Sequence, residues 1–149
     1  MQVIKRVIEG ATPDLFESFR EIPLGASFAV SGPSHVIVTG HIDCEHRAKS
    51  GTTDKAVMVA FHAKLNGAWV SGAKTGLNIY NRTDHYGLVP IAFSVEVQAG
   101  THEIKIFGRS ASTAAPGVDG LAEIKDGFNC MTYQIIEAEG PHTDGVANV

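Results

Sequence analysis

The chain has few of the residues that carry specialised chemistry. Of its 149 residues only two are cysteine, Cys44 and Cys130. Their wide separation excludes a Cys-x-x-Cys metal or redox motif and a disulfide framework, and both read as buried thiols. No apolar run approaches the 18 or so residues that a membrane-crossing helix needs. Basic charge is also short: 12 Lys and Arg against 16 Asp and Glu give a net charge of -4, which argues against a general nucleic-acid surface. The first ten residues, Met1 to Gly10, hold no uninterrupted apolar stretch and no small-residue cleavage site, so no secretory signal is expected. Synthesis in a reducing cytoplasm follows as an expectation, with no membrane and no nucleic-acid partner. Glycine-rich phosphate cradles, a Gly-x-Ser-x-Gly elbow and helix-length amphipathic periods are likewise missing.

Strand-length alternation is what remains. Ile91, Phe93, Val95 and Val97 share one face, Ala92, Ser94, Glu96 and Gln98 the other, and beyond Gln98-Ala99-Gly100-Thr101 the apolar face resumes with Ile104 and Ile106. This pattern predicts a hairpin with one buried side. Val36, Val38, Gly40, Ile42 and Cys44 oppose Ile37, Thr39, His41, Asp43 and Glu45 in the same way. Val57–Leu65 reads as a strand that enters an Asn66-Gly67 turn, where both central positions of a type I′ turn need positive φ. Further strands are predicted at 27–30, 68–71, 77–80, 121–125 and 129–137, with a second Asp-Gly turn at Asp126-Gly127 and a long small-residue loop at 111–120. Near the N-terminus, Thr12-Pro13-Asp14 offers a cap for a short helical turn, and an edge strand over 16–22 is the alternative.

Eight or so short strands with turns every 8 to 12 residues predict an all-β, antiparallel two-sheet β-sandwich. A jelly roll is favoured over an immunoglobulin-like sandwich, because the Cys44, Trp69, Cys130 spacing is too long and residue 128 is Phe where a Tyr would stand. The expected organisation is an N-terminal arm or edge segment at 1–24, the jelly-roll sandwich at 25–138 and a flexible tail at 139–149.

Two polar groupings suggest chemistry. His41, Asp43 and Glu45 project from one strand face, and an imidazole with two carboxylates suits a divalent cation in a cupin-like metalloenzyme. Alternation alone also places them on a solvated face. Trp69, Tyr80, Asn81, Arg82, Asp84 and Tyr86 have the composition of a glycan-binding patch, where rings stack on sugars and polar groups bond hydroxyls. The alternative is packing of Trp69 and Tyr80 in a core or edge. Seven histidines scatter without a nucleophile-base pattern, and a paired-carboxylate glycosidase has no positive support.

The segment Val95-Glu-Val-Gln-Ala-Gly-Thr-His-Glu-Ile-Lys-Ile-Phe107 resembles a hairpin found in jelly-roll modules of bacteriophage virion proteins and related tumour-necrosis-factor or C1q-like domains. The closing strand Met131-Thr-Tyr-Gln-Ile-Ile-Glu137 resembles theirs more loosely; together the two cover under a fifth of the chain. The resemblance implies a non-enzymatic virion structural protein without cofactor, most simply a capsid decoration or cement protein. It would bind the major capsid protein or another virion protein and form a homo-oligomer, dimer or trimer. Val3, Ile4, Val7, Ile8, Phe16 and Phe19 of the N-terminal arm are the expected partner contacts, so deleting residues 1–12 is expected to abolish capsid binding and leave the fold intact. A carbohydrate- or receptor-binding module of a phage tail or cell surface is the alternative implied function.

Overall fold

The computed structural model describes residues 1–47, 51–52, 55–80, 87–127 and 129–138. These form eleven strands and no helix: β1 (Gln2–Arg6), β2 (Asp14–Leu15), β3 (Arg20–Val30), β4 (Ser34–His46), β5 (Val57–Leu65), β6 (Ala68–Trp69), β7 (Thr75–Ile79), β8 (Gly87–Val97), β9 (Gly100–Ala111), β10 (Ala122–Ile124) and β11 (Cys130–Glu137). The helical turn expected after Thr12 is therefore absent, and Asp14–Leu15 pairs with β10 instead.

Setting aside the short β2, β6 and β10, the eight principal strands pair first with last and so inward: β1 with β11, β3 with β9, β4 with β8, β5 with β7. The chain is thus one long antiparallel ribbon. Rolling it adds the pairs β4 with β11 and β5 with β9, which closes two sheets. Sheet A runs β1-β11-β4-β8 and sheet B runs β3-β9-β5-β7, with β6 continuing the β7 edge and β10 continuing β11 along β4. This pairing scheme is the jelly roll.

The interior follows from alternation. Val36, Val38 and Ile42 from β4, Met131, Tyr133 and Ile135 from β11, and Ile104 and Ile106 from β9 are fully buried between the sheets. Gly40 shares the inward face of β4 because nothing larger fits: a Cβ there would collide with the Cys130 carbonyl oxygen and lie 2.8 Å from the Met131 sulfur. The Asn66-Gly67 turn closes β5 on β6 as expected, with φ of 50° and 87° and Leu65 opposite Ala68.

The expected hairpin at Gln98-Ala99-Gly100-Thr101 does not form: β8 lies in sheet A beside β4, β9 lies in sheet B between β3 and β5, and Gln98 to Gly100 carries the chain across the sandwich. Gly100 makes the crossing with a φ of 136°. The buried residues on both strands were correctly placed, because an apolar face turned to the core looks the same in either arrangement. Asp126-Gly127 is a turn, as expected, with Gly127 at a φ of 76°, and it lies between β10 and β11, which occupy successive stretches of one edge of β4.

Residues 1–24, expected as an arm or edge segment, supply β1 at the edge of sheet A, β2 and the first part of β3. The loop expected over 111–120 is tied to the segment before β3. Glu17 N–H donates to Asp119 Oδ1 at 2.8 Å, Gly120 N–H to the Leu15 carbonyl at 2.8 Å, and Gly117 N–H to the Glu17 carboxylate. Cys44 is a buried free thiol, as expected, whereas Cys130 is only half-buried. The tail at 139–149 lies outside the described residues.

Candidate aromatic and cationic face

Outward positions of sheet B gather rings from four segments. His62 projects from β5, Trp69 from β6 and Phe107 from β9, while residues 16–19 loop over the sheet and lay Phe19 on the same face. Trp69 is the hub. Its ring stacks on His62 at 4.4 Å and 12°, meets Phe107 edge-on at 5.2 Å, and tilts against Phe19 at 5.5 Å. The cross-strand register explains the meeting, since Lys64 faces both Trp69 and Lys105, and His62 faces Phe107.

Cations stand over these rings. The Lys64 ammonium lies 4.6 Å from the Trp69 centroid and 5.0 Å from that of Phe107; Lys74 and Arg109 approach Phe19 at 5.6 and 5.7 Å; Arg20 covers Phe16 at 4.6 Å. Among the described residues the ion pairs are Arg47 with Glu123, Lys105 with Glu21 and Glu103, and Lys125 with Glu45. Arg20, Lys64, Lys74 and Arg109 therefore have no carboxylate partner there, and the buried Nε of Arg109 has no hydrogen-bond partner. Along the same face, past Arg109, lies a groove of about 520 Å³ lined by Glu17, Met58, Asn78 and Ala111. A face built this way suits a ligand with negative charge and flat or apolar surface.

The residues singled out from sequence are distributed as follows. Trp69 is 46% exposed and Tyr80 44% exposed. Trp69 belongs to the aromatic cluster, yet its ring is shared with His62 and Lys64, so it is not a bare stacking platform. Asn81, Arg82, Asp84 and Tyr86 lie outside the described residues. Of the expected arm contacts, Val3 and Val7 are exposed, whereas Ile8 is buried and Ile4 is partly buried against the core, so these two hold the segment to its own sandwich. Phe16 and Phe19 are half-buried beneath Arg20 and within the ring cluster.

His41, Asp43 and Glu45 do share one face of β4, but their environments diverge. His41 is exposed, the Glu45 carboxylate accepts a 3.1 Å hydrogen bond from Lys125 Nζ, and Asp43 is 8% exposed with Oδ1 unpartnered. Burial pushes the Asp43 carboxyl above its usual range against the opposing pull of Lys125. Among the described residues no group of three or more His, Cys, Asp and Glu is arranged to hold a metal ion.

Sequence reading found Trp69 and Phe19 singly and missed His62, Lys64, Phe107 and Arg109. A signal was available: Phe107 falls out of phase with the inward Ile104 and Ile106, and His62 sits between the inward Phe61 and Ala63, so both had to face outward.

No family model and no curated protein matches the chain. Solved structures resemble it, among them the following two. One is a chain of the infectious bursal disease virus Gx strain structure, with TM-score 0.45 and 10% identity over 91% of this chain, which corresponds to 37% of the viral chain's length. The other is "CBM35 from Cellvibrio japonicus Abf62", with TM-score 0.38 and 12% identity over 93% of this chain and 100% of that one. At these values the likeness carries no functional argument. What stands on the molecule's own geometry is an all-β, two-sheet jelly roll.

Proposed function

We propose that the chain is a non-catalytic binding module, a virion structural protein of the capsid decoration type, which holds an acidic surface of a capsid or other virion protein. The observation that carries the binding role is the outer face of sheet B. Three cations, Lys64, Lys74 and Arg109, without a carboxylate partner among the described residues stand over aromatic rings on a rigid sheet, in a chain whose net charge is -4. A module that docks needs such a complementary surface and nothing more, and charge on that surface sets orientation and speeds encounter. The virion assignment rests on the sequence pattern of residues 95–107 given above, which in the fold is a crossing between the two sheets and not a hairpin.

Purified particles from the encoding genome provide the test. The chain should co-purify with them, and recombinant protein should co-sediment with stripped shells in a salt-sensitive manner. K64E/K74E/R109E should abolish co-sedimentation while circular dichroism stays unchanged, and V3D/V7D should retain it. Loss of binding in V3D/V7D alone would return the contact to the N-terminal segment; absence of the chain from particles would overturn the virion reading.

A second reading is favoured by the exposure of Trp69 and Tyr80: a carbohydrate-binding module whose ligand is anionic, held by the same cations. A glycan array that includes uronic acid and sulfated sugars tests it. Hits lost in K64E/K74E/R109E support it, and no signal above background removes it.

A further inference from the structure

Each sheet of the sandwich has two edges, and three of the four are guarded. β1 is five residues long and carries Lys5 and Arg6. β3 leaves register with β9 between Ile22 and Ala26, contains Pro23, and has its Gly25 carbonyl capped by Arg6 Nε at 3.1 Å. β7 has five residues, including Gly76, and the β6 piece only two. Short length, bulges, prolines and basic side chains are how sheets prevent edge-to-edge pairing. β8 lacks most of these. It runs eleven residues in unbroken register with β4, and its only charge is Glu96. Among the described residues no strand or loop hydrogen-bonds its outer edge.

Proline fixes which groups that edge presents. Pro90 has no N–H, yet it lies opposite His41 within the intact ladder, so its nitrogen faces away from β4. Direction alternates along an antiparallel strand, so Ala92, Ser94 and Glu96 turn both N–H and C=O to the open side.

From this the geometry points to a twofold dimer in which β8 pairs antiparallel with β8 of a second copy, centred on Ser94. In that register Ser94 meets Ser94, and Ala92 meets Glu96. The three pairs exchange about six hydrogen bonds, and no like charges are opposed. Shifting the centre to Phe93 sets Pro90, which has no N–H, opposite Glu96 and leaves the Glu96 carbonyl of each copy without its donor; shifting it to Glu96 opposes two carboxylates. The inward side supports the same register. Phe93 and Val95 point to the core but are only half-buried in the single chain, and the twofold sets Phe93 of one copy against Val95 of the other. Sheet A then runs unbroken from β1 of one copy to β1 of the next, leaving the aromatic faces of both sheets B free. The dimer is therefore independent of what those faces bind.

Ser94 is exposed, so its substitution leaves the core intact. Sedimentation equilibrium of the full chain should give twice the 15.8 kDa chain mass. S94K and S94E should each sediment as monomers with unchanged circular dichroism, because each opposes two like charges at the twofold. An equimolar mixture of the two should regain the doubled mass. A wild-type monomer or trimer, an S94K chain that keeps the wild-type mass, or a mixture that stays monomeric would overturn the proposal. Should S94K fail to fold, S94P, which removes the outward donor alone, reads the same loss of mass.

Discussion

The hydroxyl of Tyr133, buried on sheet A, donates a 2.7 Å hydrogen bond across the core to the carbonyl of Leu24 on sheet B. Leu24 lies where β3 and β9 part register, so its carbonyl has no ladder partner and the phenol satisfies it. Y133F should lower unfolding free energy by about 1–2 kcal/mol, read from urea midpoints at constant m-value. Burial pushes the Tyr133 phenol up. A raised native value stabilises below the unfolded tyrosine range and is lost as pH rises through it. The gap between wild type and Y133F should hold from neutral pH to about 10 and narrow above that.

Asp43 works in the opposite sense at neutral pH. Its carboxyl is raised by burial, so its protonated form favours the fold, and that advantage disappears as pH rises through the native value. D43N should be more stable than wild type at pH 7, and the two should converge as pH falls below the ordinary aspartate range. Thermal midpoints across an acid-to-neutral series check both the sign and the convergence.

Gly40 faces an obstacle of backbone, the Cys130 carbonyl, which cannot rotate aside. G40A should therefore cost at least about 3 kcal/mol, at or beyond the upper end for core overpacking. Loss of soluble protein, or a steeply lowered melting temperature, is the expected readout.

Asn129 ties the N-terminal segment to the sandwich. Its Oδ1 accepts the Ile8 N–H at 2.7 Å and its Nδ2 donates to the Lys125 carbonyl at 2.8 Å, at a buried site. N129A should cost about 1–3 kcal/mol. Deleting residues 1–12 removes β1 and the buried Ile8 together, so it should destabilise the protein more than N129A does. That corrects the expectation of an unchanged fold. Differential scanning calorimetry of both variants gives the order.

Trp69 is the chain's single tryptophan and stacks on His62. H62A should change its emission, because the ring stacked on the indole is removed. A ligand on the face of sheet B should shift the same emission, giving a direct binding assay.

The strands were legible where chemistry is local. Val57–Leu65 was read at its observed bounds, and the Asn66-Gly67 turn was read from two residues whose backbone preference decides the geometry. β3 was read too short, because Pro23 and Gly25 break the pattern at its bulge. The hairpin at Gly100 was misread, and the candidate site was half-seen. Trp69 and Phe19 stood out by type, but their meeting with His62, Phe107, Lys64 and Arg109 depends on segments scattered from residue 16 to residue 109.

By itself the sequence determined which face of each regular strand turns inward, since a period of two assigns every side chain of a strand to one face or the other. It also determined the tight hairpin at Asn66-Gly67. Only the tertiary structure decided which edges pair, that β8 and β9 part to opposite sheets, and that rings and cations from four segments share a surface. The physical reason is that side chains encode a strand's face, whereas its edge is made of backbone N–H and C=O groups, which are nearly the same for every residue and name no partner.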